Sequence, residues 1–360
     1  MSPLTQNRSS NFELLRIVAM FLIVLFHCIV HGVTSYWDNN SSVLQHINNF
    51  VCFILASGGE VGVTLFVLIT GYFSCDKKII PQKLLNIYLQ TLFFSVLIFL
   101  FFCVIDYNTA IRALSYSLFP FTHSAYWFVS SWLLMLFFSP LLNAVFNACS
   151  PQTIKKYLLG GAIIWVILPT FNLGIGYSNL IYFMYLYLLG GAIKAEYISF
   201  SKLNDGLKRI FILVSCGILT LLISYVIFSI FLFPGKIFWS SLEKIFVLNS
   251  FYTFFLSIWI FHIFKKLNIK SDNINWIASS MFGVYLIHDN QLVRPYLWHT
   301  LLQMDYAMNS PYFVVWVFIV SVCIFCLCIV LDKILSLFYT PLIKCIENKL
   351  EKITLLKRYF

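Results

Sequence analysis

Long uninterrupted apolar runs constrain the fold of this chain more than any other feature. Many approach the ~20 residues that an α-helix needs to cross the hydrocarbon core of a bilayer. Hydrophobic residues make up 60% of the 360 and charged residues only 11%, whereas a soluble domain carries about a quarter charged residues. Lipid offers the backbone no hydrogen-bond partners, so only helices and closed barrels span it. Because the runs are continuous and do not alternate, the sequence predicts an all-α, polytopic membrane helix bundle.

The apolar runs predict about ten transmembrane helices. The predicted spans are 12–31, 50–72, 84–105, 126–147, 157–172, 179–194, 210–233, 244–264, 276–297 and 312–339. The first run contains Glu13 and Arg16 and lacks a small-x-small cleavage site, so it is predicted to be a retained helix and not a signal peptide.

The distribution of positive charge predicts the orientation of these helices. Cytoplasmic loops are enriched in Lys and Arg, and a cytoplasmic N-terminus would put 19 of the 24 Lys and Arg residues on the cytoplasmic side. Both termini are therefore predicted to be cytoplasmic. The net charge of +10 then reflects topology and contact with anionic membrane lipids, and no nucleic-acid partner is needed. Residues 1–341 are predicted to form the transmembrane domain and 342–360 a basic amphipathic tail on the inner membrane surface.

The ten cysteines do not predict a disulfide framework. Most lie inside apolar runs, where a thiol behaves as a small apolar group. Cys323 and Cys326 have the spacing of a redox or metal motif, but they lie mid-helix with no nearby His or second pair. Packing is the favoured interpretation, and no metal site is predicted.

The first predicted helix contains three ionisable residues, Glu13, Arg16 and His27. Such groups at membrane depth usually face a bundle interior or a water-filled cavity. At 100° per residue, His27 returns to within ~20° of Arg16, three turns and ~16 Å further along the helix, while Glu13 is close enough to pair with Arg16. Alternatively, Arg16 extends to the interface and His27 only hydrogen-bonds to a neighbour. The depth of His27 favours a functional role.

Other polar and aromatic residues near the predicted outer ends of the helices allow two interpretations. Glu60, which shares a helix face with Thr64, either orients His27 or faces external water. Tyr126 and Trp127 form either an interfacial aromatic belt or a platform for a sugar. The polar residues of the ninth predicted helix either line a cavity or only cap its outer end; among them are Tyr285, His288 and Arg294.

Four short motifs occur in order along the chain. They are Glu13 and Arg16 with His27 eleven positions later; Gly-Val-Thr-Leu-Phe-Val-Leu-Ile-Thr-Gly-Tyr over 62–72; Trp127-Phe128; and Ser-Met-Phe-Gly-Val-Tyr-Leu-Ile-His over 280–288. Together they resemble the acyltransferase 3 family of membrane O-acyltransferases, many of which acetylate bacterial surface polysaccharides such as O-antigen. The resemblance extends over nearly the whole chain.

The chain departs from the family pattern at several positions. Thr70 stands where the family usually has Ser, and Thr64 stands where it often has Asp or Asn. The Arg-rich element that commonly follows the second helix is replaced by Lys77, Lys78 and Lys83. Lys lacks the bidentate fork of Arg, so the details of donor binding are expected to differ.

The resemblance implies transfer of an acyl group, most often acetyl, from cytoplasmic acetyl-CoA to a hydroxyl of a surface or lipid-linked glycan. Arg16, beside Glu13, and the rim of Lys77, Lys78 and Lys83 would hold the donor phosphates. His27, with Glu60, would act as general base or accept the acetyl group transiently. The expected location is the bacterial cytoplasmic (inner) membrane, without a metal. Residues expected to bind the acceptor or line the cavity are Tyr126, Trp127, Thr64, Tyr285, His288 and Arg294.

Two other classes of function remain open at this level. A transporter or flippase of lipid-linked glycans would also place polar groups at depth, although internal symmetry between halves is often visible in such proteins. A non-catalytic membrane sensor or assembly factor would not require the register of Arg16 and His27.

Overall fold

The computed structural model describes residues 9–32, 43–77, 81–170, 173, 178–198, 247–304 and 310–352. Within these ranges every regular element is helical, as the continuous apolar runs predicted. The α-helices are α1 (Ser10–Gly32), α2 (Val43–Ala56), α3 (Gly58–Ser74), α4 (Pro81–Ile105), α5 (Tyr107–Arg112), α6 (Leu114–Leu118), α7 (Trp127–Ala148), α8 (Pro151–Ala162), α9 (Leu168–Thr170), α10 (Asn179–Lys194), α11 (Phe251–Lys266), α12 (Asp272–Ala278), α13 (Met281–His288), α14 (Val293–Pro295) and α15 (Phe313–Lys352). Two π-helical segments, Ile163–Ile167 and Tyr296–Leu301, follow α8 and α14.

Six helical segments in the described ranges are long and apolar enough to cross a membrane. They are Ser10–Gly32, Ile54–Ser74, Pro81–Ile105, Trp127–Ala148, Pro151–Thr170 and Phe313–Leu350. These segments overlap the first five predicted spans and the last one. The total of ten spans and the cytoplasmic location of both termini stay predictions, and the seventh span, 210–233, lies outside the described residues.

The predicted ninth span, 276–297, is not one continuous helix. It is divided among α12, α13, α14 and the start of the second π-helical segment. Polar side chains bond to the backbone at both breaks: the Ser279 hydroxyl donates to the Trp276 carbonyl (2.7 Å), and the amide N–H of Leu292 donates to Oδ1 of Asn290 (2.8 Å). Such local bonds compete with regular helical bonding.

Three other predicted boundaries also differ from the helices. The second span, 50–72, is divided at Ser57 between α2 and α3. The eighth span, 244–264, corresponds to α11, which begins only at Phe251, whereas the sixth span, 179–194, coincides with α10. The last helix, α15, continues through Pro341 to Lys352, so the predicted boundary between residues 341 and 342 is not a helix end. The division into a domain and a tail stays a prediction.

Helix α3 lies at the centre of the bundle because its glycines admit neighbouring backbones. A Cβ atom on Gly62 would collide with the Ala19 carbonyl oxygen of α1, and one on Gly71 would collide with the Tyr187 carbonyl oxygen of α10. Small residues allow helices to approach closely where lipid provides no hydrophobic drive for association. The positions of α1 and α10 are therefore fixed against the same helix.

The helix termini collect at two ends of the bundle. At the first, which we call the basic end, the Ser271 amide donates to the Ser10 hydroxyl (3.0 Å) and the Lys194 ammonium donates to Asp76 (2.8 Å). At the second, which we call the histidine end, His27 of α1 contacts His288 of α13. Ser10 and His27 are 17 residues apart on α1, which is ~25 Å along a helix.

Candidate active site

Two buried histidines meet at the histidine end. Nδ1 of His27 lies 3.0 Å from Nε2 of His288, and only 7% of His27 and none of His288 is exposed. The pair joins α1 to α13, which are far apart in sequence but packed together in the bundle. The structure thus brings together two residues that the sequence had placed on separate candidate helices.

The hydrogen bonds of His288 fix the proton positions on both neutral rings. Its Nδ1 lies 2.6 Å from the Val284 carbonyl oxygen, which can only accept, so Nδ1 of His288 carries the proton. Nε2 of His288 is then the acceptor, and Nδ1 of His27 must be the donor in the bond between the rings. This leaves the lone pair of His27 on Nε2. Within the described residues, no hydrogen bond to this nitrogen is found.

Asp289 lies between His27 and a guanidinium group. Its Oδ1 is 3.4 Å from Nδ1 of His27 and 3.3 Å from Nε of Arg294. These are ion-pair distances and not well-formed hydrogen bonds, since neither Asp289 Oδ1 nor Arg294 Nε has a hydrogen-bond partner in the described part of the chain. The carboxylate can therefore stabilise positive charge on His27 while Arg294 balances its own charge.

Tyr126, at the start of α7, holds the segment that follows α13. Nδ2 of Asn290 donates to the Tyr126 hydroxyl (2.7 Å), which itself donates to the Leu286 carbonyl (3.1 Å). The Tyr285 ring lies 6.0 Å from that of Tyr126 and 6.2 Å from that of His288, measured between centroids. These contacts restrict the motion of the backbone that presents His288 and Asp289.

A pocket, which we call the rim pocket, lies beside this cluster. Its volume is about 340 Å³, at the small end of the range for ligand sites. Because Arg294 belongs to both the pocket lining and the Asp289 ion pair, the pocket is connected to the histidine pair through these two side chains. The lining residues are His31, Gln291, Arg294, Pro295 and His299.

The predicted donor residues lie at the basic end. Nη1 of Arg16 is 2.6 Å from Oε1 of Glu13, and the Arg16 side chain is 32% exposed while that of Glu13 is 9% exposed. Arg16 and Lys77 each lie close enough to Lys83 for their charges to act on it. Lys78 lies outside the described residues.

Glu60 is not among the described contacts of His27. Gly58, Gly59 and Gly62 lie on the side of α3 that packs against α1. Glu60 is two residues after Gly58, which places it ~200° around the helix from Gly58. Asp289 provides the carboxylate beside His27 instead.

Two further predicted cavity residues are also engaged elsewhere. The Thr64 hydroxyl is bonded to the Glu60 carbonyl of the preceding turn (3.0 Å). The ring of Trp127 packs against Phe128 and Phe183, with centroids 6.3 Å from each. The structure therefore does not bring Thr64 or Trp127 into the described contacts of His27.

From the sequence, Asp289 was predicted only to line a cavity or to cap the ninth helix, and His31 was given no role. Asp289 directly follows His288, and His31 is four residues after His27, on the same face of α1. The ring centroids of His27 and His31 are 5.2 Å apart. The i, i+4 spacing of His27 and His31 is the sequence feature from which a role of His31 could have been predicted.

His27, His31 and Asp289 also have a spacing that suits a metal ion. Each offers one ligand atom, and the three atoms lie within 4.8 Å of one another. Imidazole and carboxylate are ordinary zinc ligands. Arg294 already lies against the same carboxylate oxygen, and its positive charge competes with a cation for that ligand. We assign no metal to this cluster.

Comparison with known proteins gives one match. The model of the acyltransferase 3 family, described as an acyltransferase domain, matches residues 9–331. The matched region includes both ends of the bundle, with Arg16 at one and the histidine pair at the other. No curated protein and no solved structure matches the chain.

Proposed function

This chain belongs to the acyltransferase 3 family, and from that premise we propose that it transfers an acetyl group from acetyl-CoA to a hydroxyl of a surface or lipid-linked glycan. The observation that carries the proposal is the contact between His27 and His288, from which we assign the lone pair of His27 to Nε2. The contacts of His288 direct this lone pair away from the histidine pair, as a general base at a buried site requires.

The donor is proposed to bind at the basic end, with the phosphates of acetyl-CoA on Arg16, Lys77 and Lys83. Charge-assisted bonds from guanidinium and ammonium groups suit phosphates, and the charges of Arg16 and Lys77 both reach Lys83. This end would face the cytoplasm, where positive residues collect and acetyl-CoA is made. The pantetheine arm would then extend ~16 Å along α1 to His27.

At the histidine end, Nε2 of His27 would remove the proton of the acceptor hydroxyl as its oxygen attacks the thioester carbonyl carbon. The new C–O bond forms and the C–S bond breaks. The sulfur of coenzyme A then takes the proton from the His27 imidazolium, which yields an ester and free coenzyme A. The Asp289 carboxylate, 3.4 Å from Nδ1, would stabilise the imidazolium while it exists. In the alternative route, Nε2 attacks the thioester carbon first and the C–S bond breaks, which gives acetylated His27 and a coenzyme A thiolate. The acceptor oxygen then takes the acetyl group as the C–N bond breaks, and its proton passes to the thiolate.

The acceptor is proposed to enter from the histidine end, on the outer side of a bacterial cytoplasmic membrane. Tyr126, Tyr285 and His288 are proposed to line the acceptor site, because they form one set of contacts next to His27. Arg294 extends this surface into the rim pocket.

Membranes that contain the protein test the proposal directly. They are incubated with labelled acetyl-CoA and with the glycan of the organism that carries the gene, and membranes from cells with an empty vector are the control. Label in the glycan that depends on the protein is expected. Passage of unlabelled glycan into vesicles without acetyl transfer would contradict the proposal and support a transporter.

A further inference from the structure

We infer that the acceptor carries an acidic group, a carboxylate or a phosphate, that binds Arg294 in the rim pocket. The inference rests on the proposed function and specifies its acceptor class. It starts from the ion pair between Arg294 and Asp289, whose two members differ in exposure. The Asp289 side chain is 3% exposed and the Arg294 side chain 29%, so the negative member is buried and the positive member reaches the pocket.

The rim pocket has the composition of an anion site. Its charged and titratable lining residues are Arg294 and two histidines, and none of its five described lining residues is acidic. The planar guanidinium has several N–H donors in a fixed fork that matches carboxylate and phosphate oxygens. Within the described residues no hydrogen bond from the Arg294 side chain is found, and its Nε is buried without one. Since Nε faces Asp289, an acidic group in the pocket would accept from the two Nη groups.

The position of Arg294 couples such a group to the reaction. One oxygen atom, Oδ1 of Asp289, lies next to both Nε of Arg294 and Nδ1 of His27. The Arg294 charge also acts on His27 and on His31. An anion bound to Arg294 would offset that charge while the His27 imidazolium forms. The acidic group is therefore expected to increase the rate of transfer as well as the affinity.

A neutral acceptor would not supply an anion to bind Arg294. Its hydroxyls can bond to Gln291 or to the histidines, but they bring no negative charge to the guanidinium group, which then has only the carboxylate that it shares with His27. A hydrogen bond to a charged group is worth ~1.5–3 kcal/mol, which corresponds to at least about tenfold in rate or binding.

The first test locates the acetyl ester in the natural glycan. Mass spectrometry compares glycan from the organism that carries the gene with glycan from a deletion strain. The expected result is loss of an ester from an acidic sugar residue or from its direct neighbour, and the sugar composition distinguishes carboxylate from phosphate. Loss from a wholly neutral segment would overturn the inference but leave the proposed function intact. If no ester is lost, the proposed function itself fails, and the inference fails with it.

The second test combines variants with a chemically altered acceptor. The acidic group is neutralised, by carboxyl reduction or by dephosphorylation, and transfer to native and neutralised glycan is compared. The measured quantity is the ratio of the transfer rate on native glycan to the rate on neutralised glycan. For the wild type this ratio is expected to be at least about ten, the value of a charged hydrogen bond. For Arg294→Gln the ratio is expected to fall to about one, and Arg294→Lys should recover part of it.

The control for this comparison is Arg112→Gln. Arg112 is exposed on α5 and donates to the Asn108 carbonyl (3.0 Å), away from the rim pocket, so the ratio should stay at the wild-type value. A purely structural role of Arg294 would lower both rates equally and leave the ratio unchanged. An unchanged ratio in Arg294→Gln, or equal use of both acceptors by the wild type, would overturn the inference.

Discussion

Nδ1 of His27 lies 3.0 Å from Nε2 of His288, across 261 residues of sequence. Because His288 donates its own proton to the Val284 carbonyl, it can only accept from His27. The second histidine therefore determines which nitrogen of the first one is free to react. This relationship gives His288 a positioning role that can be separated from catalysis itself.

Replacement of His288 tests this positioning role. In His288→Phe the acceptor of the 3.0 Å bond is lost and Nδ1 of His27 keeps only the longer contact with Asp289, so the reactive tautomer is held less firmly, and we expect transfer to fall by about tenfold, the value of one hydrogen bond. His288→Gln keeps an acceptor oxygen and should retain more activity. The measurement is kcat for labelled acetyl transfer, with the KM for acetyl-CoA expected to change little. Equal activity in the two variants would contradict the assigned tautomer.

Arg16→Ala tests the donor site at the basic end. Loss of a charge-assisted bond to phosphate costs ~1.5–3 kcal/mol, so the KM for acetyl-CoA should rise by about tenfold or more. Transfer at saturating donor should change less, because Arg16 lies three turns from His27. Lys156→Ala on α8 is the control for removal of a positive charge elsewhere, and it should leave KM unchanged. An unaltered dependence on acetyl-CoA in Arg16→Ala would contradict the phosphate role.

Gly71→Ala tests the close approach of α3 and α10. The added methyl group would collide with the Tyr187 carbonyl oxygen, and overpacking of this kind costs ~1–3 kcal/mol. We expect a lower thermal midpoint in detergent and a lower yield of folded protein. Gly160→Ala on α8 is the matched control, because its Cβ would meet nothing within 4 Å, and Ala in a helix is favoured by ~0.5–1 kcal/mol. A midpoint that changes equally in both variants would contradict the packing.

The ion pair of Asp76 and Lys194 predicts a small dependence of stability on pH. The hydrogen bond from Lys194 lowers the pKa of the Asp76 carboxyl, so the pair stabilises the fold above the unfolded pKa of ~3.9. That contribution is lost as the pH falls through the lower pKa of the folded state. The Asp76 side chain is 58% exposed, and exposed pairs contribute at most ~1 kcal/mol.

The measurement for this pair is the thermal midpoint of the wild type and of Asp76→Asn, in the same detergent. The wild type should be slightly more stable at pH 7, and the difference should vanish well below the ordinary pKa of Asp. A difference that grows on acidification would show that another group is responsible.

Periodicity and length predicted much of the bundle. The first helix, the face shared by Arg16 and His27, and the pairing of Arg16 with Glu13 follow from helical geometry, which acts over a few turns. Gly58 and Gly62 are four residues apart, a spacing that permits a close helix contact, and α1 makes that contact. These features depend only on residues that are near one another in sequence.

The remaining features depend on contacts between distant residues. The choice of Asp289 over Glu60 as the carboxylate beside His27 follows from the rotation of α3, which its packing against α1 determines. Side chains bond to the backbone at the breaks around Ser279 and Asn290, and a hydropathy pattern does not predict such bonds. The partnership of His27 with His288 required the packing of α1 against α13.

Replacement of His27 tests the central claim most directly. Labelled acetyl transfer to glycan is measured for the wild type, His27→Ala and His123→Ala, at equal amounts of protein in the membrane. His123 is an exposed histidine whose ring lies 4.7 Å from that of Tyr116, so it controls for the loss of an imidazole. We predict that His27→Ala loses ~10²–10⁴-fold in rate, the contribution of a general base, while His123→Ala keeps wild-type activity. Retention of transfer by His27→Ala would contradict the account.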